Sequence, residues 1–195
     1  MPEPISARRR EVLDTAARLF HERGYQGTSM DEIADAVGLT KGSLYHHFDG
    51  KAEILTAIYE EAADLVVAQT EGHSDDEPAA DVFAALVRGI LEMIAQHRYH
   101  VTVYYQEMRW VREWLPEEDA ARIRAKVRTF IDFVDGVFKR GIEEGALRPV
   151  DSRLAAYALI GMASWSYQWY QPKGRLDPDG VAELFASIYL DGVRA

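Results

Sequence analysis

Apolar residues along the chain recur at intervals of three and four, and each sustained stretch of that pattern predicts an amphipathic helix. The first has Ala16, Leu19 and Phe20 inward and ends at Gly24. Ile33, Ala34 and Val37 then form a short apolar face, preceded by Ser29 and Glu32 in the S-x-x-E spacing of a capping box, so a helix starts near Met30. Gly38 stands where the chain must leave that helix in a left-handed conformation, which costs glycine almost nothing. A second short helix begins at Thr40 with Leu44 and Phe48 inward, leaving Lys41, Ser43, Tyr45 and His46 on the remaining surface. Two short helices, a glycine turn and a polar outer face are the parts of a helix-turn-helix.

A further helix starts after Asp49, with Lys51 in its first turn and Ile54, Leu55, Ile58, Ala62, Leu65 and Val66 on its apolar face. It extends to about residue 69, roughly 30 Å. After a polar loop at 71 to 79, Asp81 opens a helix whose Phe83, Leu86, Val87, Ile90, Leu91 and Ile94 cover nearly two faces, which implies a central place in the core. A helix over about 99 to 114 groups Val101, Tyr104, Tyr105, Met108 and Val111. Pro116 followed by Glu117, Glu118 and Asp119 marks the start of a long one that stops near Gly145. Two more are expected, over 152 to 170 and 178 to 193. The last carries Val181, Leu184, Phe185, Ile188, Tyr189 and Gly192 in one stripe with nothing downstream to cover it, and Ala155, Ala158 and Gly161 before it are small enough for close helix contact. Either this pair closes the monomer core, or it forms a four-helix bundle with a second copy; the uncovered stripe favours the bundle. The expected fold class is all-α: a three-helix helix-turn-helix domain over 1–50 and a six-helix ligand-binding and dimerisation domain over 51–195.

Composition narrows the function. The 195 residues include no cysteine, which excludes a disulfide framework and thiolate metal sites and fits a reducing interior. No run approaches the ~18 apolar residues of a membrane span, and Arg8, Arg9 and Arg10 have no apolar stretch behind them, so the expected location is cytoplasmic, without membrane contact. The net charge of −10 counts against nucleic acid if read globally. Residues 1 to 53 nevertheless hold 7 Lys+Arg against 9 Asp+Glu, leaving 15 against 23 for the rest, so the acidity lies mainly downstream. Asp31, Glu32 and Asp35 are on the bracing helix and are expected to face away from DNA. Lys51 at a helix N-terminus is disfavoured by a few tenths to about 1 kcal/mol, which a bound phosphate would remove; a merely solvated lysine is the alternative.

The run L-T-K-G-S-L-Y-H-H-F from Leu39 to Phe48, with Lys51 three residues after the phenylalanine, resembles the signature of the TetR family of bacterial transcriptional regulators. Tyr25 and Thr28 also sit where that family has them, and the likeness covers about Arg8 to Lys51. It implies that Thr28, Thr40, Lys41, Ser43, Tyr45, His46 and Lys51 are DNA-contacting positions; Ser29 and Gly42, at the two helix starts, complete the expected DNA-binding set. It also implies a homodimer, a double-stranded DNA operator and a small-molecule effector. A reading helix of about seven residues reaches few base edges, so two copies on a near-palindromic site are needed, at half-sites ~34 Å apart or further.

For the effector, the expected ligand-binding residues are Tyr104, Tyr105, Met108, Phe130, Phe133, Trp165 and Trp169; aromatics at helical spacing also serve as ordinary core. The segments GIEEGALRP (141 to 149) and WYQPKGRL (169 to 176) resemble those of TetR members that sense acyl-CoA thioesters, which implies an acyl chain among the aromatics and phosphates near Arg109, Arg112, Lys173 or Arg175. Those cations are otherwise surface charges, and a drug-like metabolite fits the same aromatics. His97 and His100 with Glu107 make a weak metal pattern, and no metal or cofactor is expected. No phosphate loop or nucleophile elbow is present, so no enzyme is expected. The function expected is a repressor released by a hydrophobic effector, with an activator or a multidrug-type sensor of the same fold as the alternative.

Overall fold

The computed structural model describes residues 7–74, 76–107, 111–171 and 174–193, with the side chains of Glu107, Val111 and Arg112 left aside. Among these residues every regular element is helical: α1 (Ala7–Arg23), α2 (Met30–Ala36), α3 (Lys41–Tyr45), α4 (Lys51–Ala68), α5 (Ala79–Gln96), α6 (Arg98–Glu107), α7 (Val111–Trp114), α8 (Glu117–Glu143), α9 (Ser152–Ser164) and α10 (Pro178–Val193). The all-α class is therefore as the spacing predicts. No described helix is long and apolar enough to cross a membrane.

The chain forms two compact units, and they do not follow the linear cut after residue 50. One contains residues 1–62 with 99–123, the other 63–98 with 124–195. Helices α4 and α8 each contribute to both.

In the first unit, Leu13 and Phe20 of α1, Ile33 of α2, Leu44 of α3, Phe48, and Ile54, Leu55, Ile58 and Tyr59 of α4 are fully buried. α2 opens with both halves of the capping box: Ser29 Oγ accepts from Glu32 N at 3.2 Å, and Glu32 Oε2 accepts from Ser29 N at 2.8 Å. It closes in a Schellman turn, with Gly38 at φ 66°, Leu39 N bonded to Ala34 O and Gly38 N to Asp35 O. An added Cβ at Gly38 would meet open space, so the backbone angle alone demands glycine there.

In the second unit α5 is the central element, as its two-faced apolar pattern requires. Val82, Phe83, Leu86, Val87 and Leu91 are buried, and Phe83 stacks on Phe138 of α8 with centroids 4.3 Å apart. The helix begins two residues ahead of Asp81, with Pro78 as N-cap. α10 packs on α5 and α9, and Tyr189 OH donates to Ala155 O at 2.6 Å.

Two expectations about the last helices need correction. The helix expected over 152 to 170 ends at Ser164 and tightens into a 3-10 turn, Trp165–Gln168. Ser166, Tyr167, Trp169 and Tyr170 are weak helix formers, and Pro172 in the sequence disfavours helix at the residue before it. The α10 stripe does not act as one face. Val181, Ala182, Ala186 and Leu190 are buried, whereas Leu184 and Ile188 are 57% and 59% exposed. On α9, Ala155 is buried while Leu154, Tyr157, Ala158 and Gly161 are exposed.

Candidate nucleic-acid interface and effector-site residues

The reading helix α3 is built as its sequence dictates. Thr40 is the N-cap, its hydroxyl accepting from Ser43 N at 3.2 Å, and Leu44 and Phe48 anchor the helix with no exposed surface. Thr40, Lys41, Gly42, Tyr45 and His46 are exposed and Ser43 is half-buried. Tyr45, 43% exposed, is a large aromatic that a monomer has no internal reason to leave in water.

Three of the expected DNA-binding positions have other duties. Thr28 is 2% exposed and its hydroxyl donates to Gly24 O at 3.0 Å, so its side chain closes the turn before α2 and is not available to a nucleic acid. Ser29 is engaged in the capping box, although it remains exposed. Lys51 donates to Tyr25 O at 2.7 Å and to Thr28 O at 2.8 Å, and its ammonium lies 4.3 Å from the centroid of the Tyr25 ring. Partial burial pulls its pKa below the ordinary lysine value. The Lys51 ammonium is thus already engaged from inside the protein, by carbonyl oxygens.

The acidic residues of α2 do not all turn away from the reading surface. Asp31 pairs with Lys41 at 2.8 Å, both side chains being 61% exposed. That hydrogen bond raises the Lys41 pKa. An exposed pair of this kind contributes little, so Lys41 can exchange Asp31 for a phosphate at small cost. Glu32 pairs with Arg23 at 2.9 Å.

The arginine run at the start of α1 has no role legible in its local pattern, and all three side chains have partners in the structure. Arg8 donates to Val37 O, the C-cap of α2, at 2.8 Å. Arg9 donates to His47 O, pairs with Glu53 at 2.8 Å and lies 3.9 Å from the centroid of the Phe48 ring. Arg10 pairs with Glu61 of α4 at 2.6 Å. These contacts span 29 to 51 residues, and no local pattern signals them.

The expected ligand-binding residues are distributed over both units. Tyr104 of α6 is buried in the first, tilted against Tyr59 and edge-on to Tyr105 with centroids 5.4 and 5.2 Å away, and burial pushes its pKa well up. In the second, Phe130 is buried, Phe133 rests against His73 at 5.6 Å, and Trp165 and Trp169 are 62% and 40% exposed. Met108, Arg109, Trp110 and Lys173 lie outside the described residues, as does the side chain of Arg112. A described pocket of about 200 Å³ is lined by Trp169, Tyr170, Gln171, Gly174, Arg175 and Leu176. The hydroxyl of Tyr170 is itself buried, with no hydrogen-bond partner among the described residues, and burial raises its pKa, with Asp177 adding to the effect. No cluster of metal-ligating side chains occurs among the described residues; His100 instead lies between Glu61 and Asp14, at 3.4 and 3.6 Å.

This geometry accords with what the chain is similar to. Residues 12–58 match the model of the bacterial regulatory proteins of the tetR family, and residues 76–193 match the tetracyclin repressor-like C-terminal domain. The HTH-type transcriptional repressor KstR2 of Rhodococcus jostii (strain RHA1) is 34% identical over 190 residues, 96% of this chain and 92% of that one. KstR2 of Mycobacterium tuberculosis (strain ATCC 25618 / H37Rv) is 31% identical over 97% of this chain and 94% of its own. Among solved structures, the ketosteroid transcriptional regulator KstR2 of Mycobacterium tuberculosis superposes with a TM-score of 0.87 at 29% identity, covering 98% of this chain and 97% of that one. AibR in complex with isovaleryl coenzyme A and operator DNA superposes with a TM-score of 0.79 at 33% identity, covering 93% and 97%. A helix-turn-helix with an exposed polar reading face, followed by a helical C-terminal domain that matches across its length, places this chain in the TetR family of transcriptional regulators.

Proposed function

We propose that the protein is a homodimeric repressor that reads a near-palindromic operator with α3 and releases it when a small hydrophobic effector, of the acyl-CoA thioester class, binds the later helices. One observation carries this reading: Thr40, Lys41, Tyr45 and His46 form a polar exposed surface over an α3 whose inward side, Leu44 and Phe48, is wholly buried. The basic set is thin, since Lys41 and Lys51 both have internal partners, so one copy binds weakly and two are needed. The DNA-reading part is assigned to residues 1–50 and the effector and dimer functions to 51–195, in the cytoplasm where the operator is. Leu154 and Tyr157 on α9 and Trp165 in the turn after it, with Leu184 and Ile188 on α10, supply the apolar surface for the second copy.

The effector class is supported by the names of the relatives, one a ketosteroid regulator and one seen with isovaleryl coenzyme A. The pocket chemistry is consistent with it: a lining that includes Arg175 together with Trp169 and Leu176 suits a ligand with anionic as well as apolar groups. Because α4 contributes to both units, a ligand that prefers one placement of it alters the spacing of the reading helices; a preference of about 1–3 kcal/mol weakens the operator complex about 5- to 150-fold. The test is a mobility-shift titration on duplexes from the gene's own upstream region, repeated with isovaleryl-CoA and longer and polycyclic acyl-CoAs. Release by one of them at micromolar concentration is expected. Binding that survives the whole panel would overturn the effector assignment, and no salt-dependent shift at all would overturn the repressor.

A further inference from the structure

We infer that Arg9, held by Glu53, is a positioning residue that sets the orientation of the reading helix without touching DNA. The inference rests on the repressor reading of α3 and concerns what fixes that helix. α3 has five residues, a little more than one turn, and a helix so short has no rigidity of its own. Its placement depends on its two ends. The entry is fixed locally, by the glycine turn at Gly38 and the Thr40 cap.

The exit is fixed from a distance. Arg9, on α1, donates to the carbonyl of His47 just past the end of α3, where the negative end of the helix favours a cation. The central carbon of the same guanidinium lies over the Phe48 ring, 3.9 Å from its centroid. Glu53, on α4, divides its carboxylate: one oxygen takes Arg9 at 2.8 Å and the other takes Asp49 N at 2.6 Å. The turn that ends the reading helix is thereby tied to α1 and α4 by a planar, two-edged group, a geometry a lysine does not reproduce.

The competing explanation for an arginine here is a direct phosphate contact, and the two differ in what Glu53 does. For a phosphate contact, Glu53→Gln removes a nearby negative charge and leaves binding unchanged or improved. For a positioning pair it loosens Arg9 and weakens specific binding. The measurement uses the full-length protein and two duplexes: one recovered by wild-type selection from a random library, and an unrelated one of the same length. Both are titrated by fluorescence anisotropy over a salt series, with melting curves for each variant. Arg9→Ala, Arg9→Lys and Glu53→Gln are each expected to lower affinity for the selected duplex about 5- to 150-fold, the range of one lost base contact, with the unrelated duplex and the salt slope unchanged. Arg9→Lys and Glu53→Gln keep the test open if Arg9→Ala does not fold. The inference is overturned if Glu53→Gln leaves the ratio between duplexes unaltered, or if Arg9→Ala weakens both alike and lowers the slope by about one. A wild-type protein that selects no sequence overturns the repressor reading itself, before any variant is made.

Discussion

Lys51, the first residue of α4, reaches back to Tyr25, donating to its carbonyl at 2.7 Å and sitting 4.3 Å from the centroid of its ring. With the second bond to Thr28 O, the lysine closes the turn between α1 and α2 onto the start of α4. Lys51→Ala removes the donor from two part-buried carbonyls, a cost of about 1–3 kcal/mol, so the melting midpoint should fall by several degrees along with DNA affinity. A melt identical to wild type, with a salt slope lower by about one, would mark Lys51 as a plain phosphate contact instead.

Tyr45 is the opposite case. Its ring is 43% exposed, so Tyr45→Ala should leave stability within about 0.5 kcal/mol of wild type while reducing affinity for the operator more than for unrelated DNA. Equal losses on every duplex in a competition assay would count against a base contact by this residue.

Asp135 on α8 accepts from Ser152 at 2.6 Å and from Lys139 at 2.9 Å, with Arg153 3.6 Å away. The Ser152 hydrogen bond first, then that from Lys139 and the charges of Lys139 and Arg153, hold its carboxyl below the usual aspartate range. A carboxylate depressed in the folded state stabilises the fold above its unfolded pKa of about 3.9, and that contribution disappears as pH falls through the lower folded value. Thermal melts from pH 6 down to pH 2 should therefore show a steeper acid loss for wild type than for Asp135→Asn, which lacks this titration. Parallel curves would remove Asp135 from the account of acid stability.

Gly141 lies inside α8, where alanine is ordinarily the better helix former by about 1 kcal/mol. An added Cβ would stand 2.7 Å from Leu147 Cδ1, 2.9 Å from its Cγ and 3.1 Å from the Ala79 Cβ, all in buried residues. Overpacking costs about 1–3 kcal/mol, so Gly141→Ala should be destabilising on balance, by up to ~2 kcal/mol in urea unfolding. A stabilised variant would mean that Leu147 gives way freely.

The exposed apolar residues of α10 test the assembly. Leu184→Glu or Ile188→Glu should produce monomers by analytical ultracentrifugation, with unfolding midpoints little changed once concentration is allowed for, since both side chains are more than half exposed in one copy. Dimers that persist with both substitutions would place the interface elsewhere.

The sequence by itself determined the helices and the reading element. Capping at Ser29 and Thr40, the left-handed glycine at 38 and the i, i+4 spacing of Leu44 and Phe48 are relations among residues a few positions apart, and such relations survive in a linear string. The same locality made α5 legible, because an apolar pattern on two faces can be relieved only by burial.

Tertiary structure alone decided which polar residue meets which. Arg9 and His47 are separated by 38 residues, Lys51 and Tyr25 by 26, and nothing in the periodicity of a helix specifies the partner of a cation that distant. It also decided which part of an apolar stripe is covered: α10 buries Val181, Ala182 and Ala186 against its neighbours and leaves Leu184 and Ile188 in water, a division set by how the helix is rotated in its packing. Periodicity measures how wide an apolar face is. The rotation that chooses its buried half belongs to the contact, because burial free energy depends on area removed from water and not on order along the chain.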